Sequence, residues 1–470
     1  MFERIEKRFP GCRGWVAPLA ICASSVANFA LYYLGLAYME NKAREIGFIV
    51  ISICIAIFSG LAFLKILKEK CLPLWKLGTL FGIVLLFFAY FVIWYHNFGT
   101  RGNLINKAEQ FVVFCVPALL AGICCAGWKK EKEFFTNLEK IGFFFIPAAL
   151  IYVNGILFFC SPFEDGWYLG IINYMSFSYG LMPVLFAIMI RFSEKAEVTV
   201  SLAKRSPKRP QLVRGLMIAL FWVATIAAGT RGTYFCVVLF CLCWVFSSFI
   251  HKETEKRRTV LLSAAMISVL LFNLFVYAPP GMKIWRMNGF IDGIKDGKII
   301  TTEQDERVTD AVIDALVAED GGVQLVNREV DSQDDGFPEG SIGAENYTIH
   351  DRGSLYKLAF KEFLKSPIIG MKPGGYVIKY GLYPHSAALE ILCETGIVGA
   401  IFFFCVIIWA AIHLLRISEK RRECRLILLF LLVCAVKTNI SGTVWSCPEM
   451  MFALGYGMIC PGRNENLTKK

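Results

Sequence analysis

His385 is the residue best placed, by type and setting, to move a proton. It follows Tyr383-Pro384 and opens an apolar run that returns the chain from a long polar stretch, so water, lipid headgroup and loop would meet around it. An imidazole at a helix start feels the positive end of the helix dipole, which favours the neutral form that accepts a proton near pH 7. The plainer reading is an interfacial His hydrogen-bonded to the loop. Arg231 lies in Gly229-Thr230-Arg231-Gly232-Thr233, a tight turn between two apolar runs. Glycines there let the backbone approach a ligand, and a guanidinium fork matches paired phosphate oxygens. The alternative is an Arg that snorkels to any headgroup. Arg352, in Asp351-Arg352-Gly353-Ser354-Leu355-Tyr356, begins an amphipathic stretch, where a salt bridge to its neighbour Asp351 is the competing role.

Metal and nucleotide chemistry find little support in the sequence. The acidic run Asp331-Ser332-Gln333-Asp334-Asp335-Gly336 tempts a calcium reading, but the twelfth position counted from Asp331 is Ile342, which is no ligand. No zinc-type cluster and no phosphate-cradling Gly loop stand out, so neither metal nor cofactor is expected. The 17 cysteines fall almost entirely inside apolar runs and read as small packing residues.

The elements that must position these side chains follow from composition. A chain of 470 residues that is 56% hydrophobic, with a mean hydropathy of +0.54, carries more apolar surface than a water-soluble core needs. Its charges fall in clusters between apolar runs of about 17 to 25 residues, the length that crosses a bilayer as helix. A net charge of +11 could suggest nucleic acid, but the basic residues punctuate the apolar runs instead of forming a basic face. Spans are expected near 15–38, 47–66, 77–95, 111–128, 141–160, 167–190, 212–229, 232–250, 259–278, 395–415, 426–443 and 448–461, the last being short. The apolar stretch after Arg13 is too long for a signal-peptide core and reads as the first span.

Basic clusters set the expected orientation. Residues 191–214, His251 to Arg258 and Arg416 to Arg425 concentrate Lys and Arg on one side, which puts both termini in the cytoplasm and the long segment at 279–383 outside. The expected fold is an all-α polytopic membrane protein with about 12 transmembrane helices and one large, partly helical extracytoplasmic loop. Its divisions are 1–278 (spans one to nine), 279–383 (loop domain) and 384–470 (spans ten to twelve). Within the loop, 301–320 reads as an amphipathic helix, 321–347 as turn-rich, and 355–367 as an amphipathic helix stopped by Pro367 ahead of a Gly-rich turn.

Over roughly residues 215–416 the chain resembles the O-antigen ligase and O-antigen polymerase superfamily, bacterial enzymes that use undecaprenyl-diphosphate-linked glycans. Arg231 is similar to that family's small-residue-Arg signature between central spans. Arg352 with Tyr356, Ala359, Pro367 and Gly370 resembles its loop motif. His385-Ser386, followed after nine residues by Gly396 and then Gly399, resembles its third motif. On their own spacing, Gly396 and Gly399 would notch one helix face for close packing, holding the His385 helix rigid.

The resemblance implies a GT-C-like, metal-independent inverting glycosyltransferase of the bacterial cytoplasmic membrane. His385 would be the catalytic base, Arg231 and Arg352 would bind the substrate diphosphate, and Tyr356, Gly396 and Gly399 would support them. Implied partners are the undecaprenyl-diphosphate-linked oligosaccharide, a glycan acceptor, the lipid bilayer, a flippase and a chain-length regulator; nucleic acid is not among them. Polymerase and ligase differ in acceptor, and the polymerase is favoured because no feature demands a lipid A core. A flippase or transporter of the same glycans is the competing class. It would show interrupted helices with midplane charges, whereas the apolar runs here are nearly charge-free apart from Lys437.

Overall fold

The computed structural model describes residues 1–35, 41–69, 109–159, 172–194, 208–228, 230–275, 352–380, 383–418 and 421–460, with short pieces at 72, 77–78, 81–82, 85, 168–169, 325–326 and 347–348. Among these the protein is helical, apart from two pairs of two-residue strands: Tyr168–Leu169 antiparallel to Ile172–Asn173, and Leu325–Val326 parallel to Tyr347–Thr348. The expected helix at 301–320, the turn-rich 321–347 apart from Leu325, Val326 and Tyr347, and most of the span at 77–95 lie outside the described residues.

Among the described residues, six helical stretches are long and apolar enough to cross a bilayer: Ile46–Lys68, Phe111–Trp128, Ser176–Ser193, Gly232–Ile250, Ala387–Ser418 and Arg422–Ser441. Exposed Ile, Leu and Phe side chains coat Ile46–Lys68, Gly232–Ile250 and Ala387–Ser418, as lipid contact requires, whereas Ser176–Ser193 is mostly enclosed by protein. The expected straight span at 15–38 is instead a bent pair, Cys12–Ile21 and Ala23–Tyr33, meeting at 87°. The chain leaves helical geometry at Cys22 (φ −91°, ψ 11°). Counted as one span, the pair brings the total among the described residues to seven. Helices also occupy the places read as spans at 141–160, 212–229, 259–278 and 448–461, namely Glu131–Phe159, Lys208–Ala227, Lys256–Phe275 and Pro448–Ile459.

The short helix Pro448–Ile459 faces protein all round. Every residue from Glu449 to Ile459 is buried. It meets Val116–Trp128 backbone to backbone: a Cβ added to Gly122 would lie 2.1 Å from the Phe452 carbonyl oxygen, and one on Gly455 2.2 Å from that of Leu119. Small residues at a helix crossing replace the missing hydrophobic drive with close packing.

The two ends of the bundle differ in character. At one end Arg214 pairs with Glu139 (2.6 Å), Arg191 with Glu194 (2.5 Å), Arg422 with Glu194 (2.9 Å), Arg425 with Glu253 (2.8 Å) and Arg421 with Glu131 (2.7 Å). The basic clusters therefore share one end, as the charge pattern implied. Thr230, Ser386 and Glu449 belong to the other.

Candidate functional site

His385 sits in a left-handed backbone conformation, φ 54°, which a branched or bulky residue adopts only when its surroundings impose it. The imposing contacts come from both sides. Its half-buried ring lies against Tyr383, centroids 4.1 Å apart. The next residue, Ser386, starts the Ala387–Ser418 helix: its carbonyl accepts from the Glu390 amide (2.8 Å) and its hydroxyl from the Leu389 amide (3.4 Å). Such a cap satisfies donors that a helix start otherwise leaves bare.

That helix start is fastened to the end of Arg422–Ser441 and the turn beyond it. The Asn439 side-chain oxygen accepts from the Ala388 amide (2.9 Å), and Thr443 Oγ1 donates to the Glu390 carboxylate (2.6 Å). Glu390 has no exposed surface, and Glu394, one turn on, has almost none. Two buried carboxylates four residues apart in an otherwise apolar run were the signal available for this feature, and sequence reading passed over it.

Arg231 begins the helix Arg231–Ile250, with Thr230 at the N-cap. Thr230 Oγ1 bonds Ser178 Oγ at 3.1 Å, and Tyr234 OH donates to the Ile226 carbonyl at 2.6 Å, closing the turn. Gly232 is needed there: a Cβ would fall 2.1 Å from the Tyr179 hydroxyl, and 3.6 Å from Ile440 Cγ2. Ile440 follows Asn439. The Arg231 turn and the His385 helix start are thus brought to two sides of the same helix end. Gly229 and the Arg231 side chain lie outside the described residues.

A buried ion pair lies within the same end. Lys437 Nζ is 2.5 Å from Glu449 Oε1, and 5.3 Å from the centre of the Tyr179 ring. The apolar runs are therefore less charge-free than their composition suggested. Lys437 is four residues from the end of its helix, so the pair ties the two arms of the 442–447 turn together. Breaking one partner of a buried pair leaves an uncompensated charge, and Glu449→Gln is expected to cost about 3 to 5 kcal/mol. The combined change Lys437→Met with Glu449→Leu should cost less than the single one; thermal unfolding in detergent measures both.

Arg352 begins the helix Arg352–Lys365, whose Leu355, Leu358, Ala359 and Phe363 form a small core with Tyr376, Tyr380 and Cys393. The buried Glu362 carboxylate accepts from Tyr380 OH (2.6 Å) and pairs with Lys379 (3.1 Å), fixing Gly375–Tyr380 onto that helix. Burial, then the bond to Glu362, pushes the Tyr380 phenol well above its ordinary range. Tyr356 is half-buried beside this core. The helix ends at a turn welded to the Ala387–Ser418 helix: Ile397 N–H donates to the Pro367 carbonyl (2.8 Å), Met371 N–H to Cys393 (2.7 Å) and Lys372 N–H to Glu394 (2.8 Å). Leu389 and Leu392 join the same core, so Arg352–Lys365 packs on the Ser386–Gly396 stretch. The Arg352 side chain lies outside the described residues.

The two motif glycines divide their expected role. Gly396, at φ 65° and ψ −168°, is a break in the helix, in a region of backbone space that only glycine enters readily. A Cβ there would lie 2.4 Å from the Ile368 carbonyl, and one on Gly370 (φ 73°) 2.4 Å from the Glu394 carbonyl carbon. Gly399 meets its own helix instead, its Cβ position lying 2.2 Å from Thr395 Oγ1. The notch expected from both is therefore a backbone joint made by Gly396 with Gly370.

At the opposite, basic end, Glu131, Cys424 and Cys460 bring their ligand-type atoms within 4.8 Å. The Tyr456 hydroxyl stands among them, 2.8 Å from Glu131 Oε1, 3.2 Å from Cys424 Sγ and 3.6 Å from Cys460 Sγ. Arg421 already neutralises Glu131 at 2.7 Å. A hydrogen-bonded knot with a guanidinium in it is a poor home for a cation.

Residues 216–404 match the family model described as O-Antigen ligase, a stretch that holds Arg231, Arg352, His385 and the Gly370–Gly396 joint. No curated protein and no solved structure matches the chain.

Proposed function

We propose, from the match of residues 216–404 to the O-antigen ligase family model, that this membrane protein polymerises lipid-linked oligosaccharide units at the outer face of the bacterial cytoplasmic membrane. The donor is an oligosaccharide on undecaprenyl diphosphate, and the acceptor is a second such unit. Arg231 and Arg352 neutralise the diphosphate, in the role a metal plays elsewhere. His385 takes the proton from the acceptor hydroxyl, the hydroxyl oxygen bonds to the anomeric carbon from the far side, and the bond to the diphosphate breaks. In this reading about 12 spans carry the loop outside and both termini inside, and a flippase and a chain-length regulator act alongside.

The observation that supports the reading best is the left-handed His385, held at a helix start whose fastening helix also borders the Arg231 turn. Rigid placement is what a base and its substrate need. Transfer to a final carrier, the ligase reading, uses the same chemistry and is the activity named in the description of the matched family. A transporter of the same glycans draws on the helix break at Gly396 and the 87° bend. At Gly396, however, the freed backbone groups are taken up by the 367–372 segment, which leaves little open backbone for a cargo.

Purified protein in liposomes, supplied with labelled lipid-linked units, separates the three. Elongated chains are expected; product only when a different carrier is added would mean ligation, and movement across the bilayer without a new glycosidic bond would overturn the enzyme reading. In the same assay Arg352→Ala should lose a charge-assisted contact worth about 1.5 to 3 kcal/mol, roughly a 10- to 100-fold drop in rate. Arg352→Lys, which keeps the charge without the fork, should fall between that variant and the native protein.

A further inference from the structure

The helix Arg352–Lys365 has three faces, one of which is buried against the described residues. Leu355, Leu358, Ala359, Glu362 and Phe363 are buried against the Ala387–Ser418 helix and its neighbours. Phe360 and Leu364, one turn apart on the next face, are 47% and 57% exposed. The chain continues this stripe through Pro367 into Ile368 and Ile369, 66% and 50% exposed. Lys357, Lys361 and Lys365 recur at four-residue spacing on the third face, bordering the apolar stripe. A water-facing helix has no use for four neighbouring large apolar side chains, and scattered exposure does not explain a continuous row.

What covers the row follows from what it adjoins. Ile397 and Val398 donate their amides to the Pro367 and Ile368 carbonyls, at 2.8 and 3.3 Å. Ile397, Val398 and Ile401 are themselves exposed and begin the straight part of the span after the Gly396 break. From Ile397 to Ser418, at about 1.5 Å per residue, that part measures about 33 Å, matching the hydrocarbon layer. Ile397 therefore marks the hydrocarbon boundary, and Ile368 and Ile369, bonded beside it, lie at the same depth.

We propose that Arg352–Lys365 and its Pro367–Ile369 turn form an interfacial membrane-binding element. Phe360, Leu364, Ile368 and Ile369 seat among the acyl chains of the leaflet at Ile397, and Lys357 and Lys361 rise to the lipid phosphates, while Lys365 keeps its pairing with Glu362 at 3.5 Å. An apolar stripe flanked by lysines is the pattern of helices that lie in the plane of the interface, their long side chains reaching back to the headgroups. The element does not depend on which glycan the protein handles, or on whether it is an enzyme.

The test places p-benzoylphenylalanine singly at Phe360, Leu364, Ile368 and, for contrast, Lys357 of the full-length protein. Each variant is reconstituted in vesicles of phosphatidylethanolamine and phosphatidylglycerol and illuminated, and intact masses are read. Adducts of one phospholipid are expected at the three apolar positions, at least about tenfold more abundant than at Lys357. Crosslinked dimers at those positions would assign the face to a second copy and overturn the proposal, as would the absence of lipid adducts at all three. Hydroxyl-radical oxidation of the unaltered protein in the same vesicles covers the case of a variant that does not insert. Phe360 should be as protected as Phe404 in the span, and oxidation at the rate of a water-exposed Phe would also overturn it.

Discussion

His385→Gln should insert and fold like the native protein, bind the lipid-linked donor, and make almost no product. A positioned general base contributes typically 10² to 10⁴-fold, about 3 to 5 kcal/mol of barrier, and glutamine keeps the size and some hydrogen bonding of histidine without accepting a proton at useful pH. His385→Ala should lose as much transfer. The left-handed φ of 54° matters for how this is read, because neither substitution relieves it and both leave the Ser386 cap and the Asn439 bond in place. Product per unit of membrane-inserted protein is the measurement. Near-normal specific transfer by His385→Gln would leave His385 as an interfacial residue shaped by its loop, and the base would have to be sought elsewhere.

Gly396→Ala should be among the most damaging small changes at the described residues. Two independent costs add. The backbone conformation, φ 65° and ψ −168°, is strained for any residue with a Cβ, by about 1 to 3 kcal/mol. The added methyl would also stand 2.4 Å from the Ile368 carbonyl carbon and oxygen and 2.6 Å from the Gly370 nitrogen, all backbone atoms that cannot swing aside. Relief requires parting the Pro367, Ile368, Met371 and Lys372 bonds to the helix. The expected result is loss of the folded 352–380 segment while the spans remain inserted, read as protease cleavage between Arg352 and Tyr380 in proteoliposomes that leaves native protein intact. Gly399→Ala, whose Cβ position meets only the Thr395 side chain, should be far milder.

The membrane class, most helices, and the segregation of basic residues to one end were legible in the sequence, because lipid enforces long apolar runs and charge stays out of them. The bend at Cys22 was not, since the residues on either side of it are equally apolar. Arg231, Arg352 and His385 stood out through residue type and neighbours. Their fastening did not: Asn439, Thr443 and Glu390 become partners only through contacts spanning some fifty positions. Lys437 was visible as a charge in an apolar run, but its pairing with Glu449 depends on how tightly the 442–447 turn closes. The glycine pair was legible as spacing and misread as a packing notch, because a helix break leaves no trace in periodicity when both halves are apolar.

The all-round burial of Pro448–Ile459 bears on how the protein is assembled. Twelve residues reach about 18 Å, well short of a bilayer of about 30 Å, so this helix has no stable membrane-crossing stage of its own. It must be received by Val116–Trp128, and the two are joined beside that contact by the Cys447 amide and Cys115 Sγ at 3.4 Å, 332 positions apart. Ribosomal synthesis delivers the receiving helix long before its guest. Until the guest arrives, Lys437 lacks Glu449, and the turn that fastens His385 has only one arm. The end that holds His385 is therefore among the last parts of the molecule to mature, and any quality-control machinery that senses an unclosed helix crossing in the bilayer would meet this protein at that step.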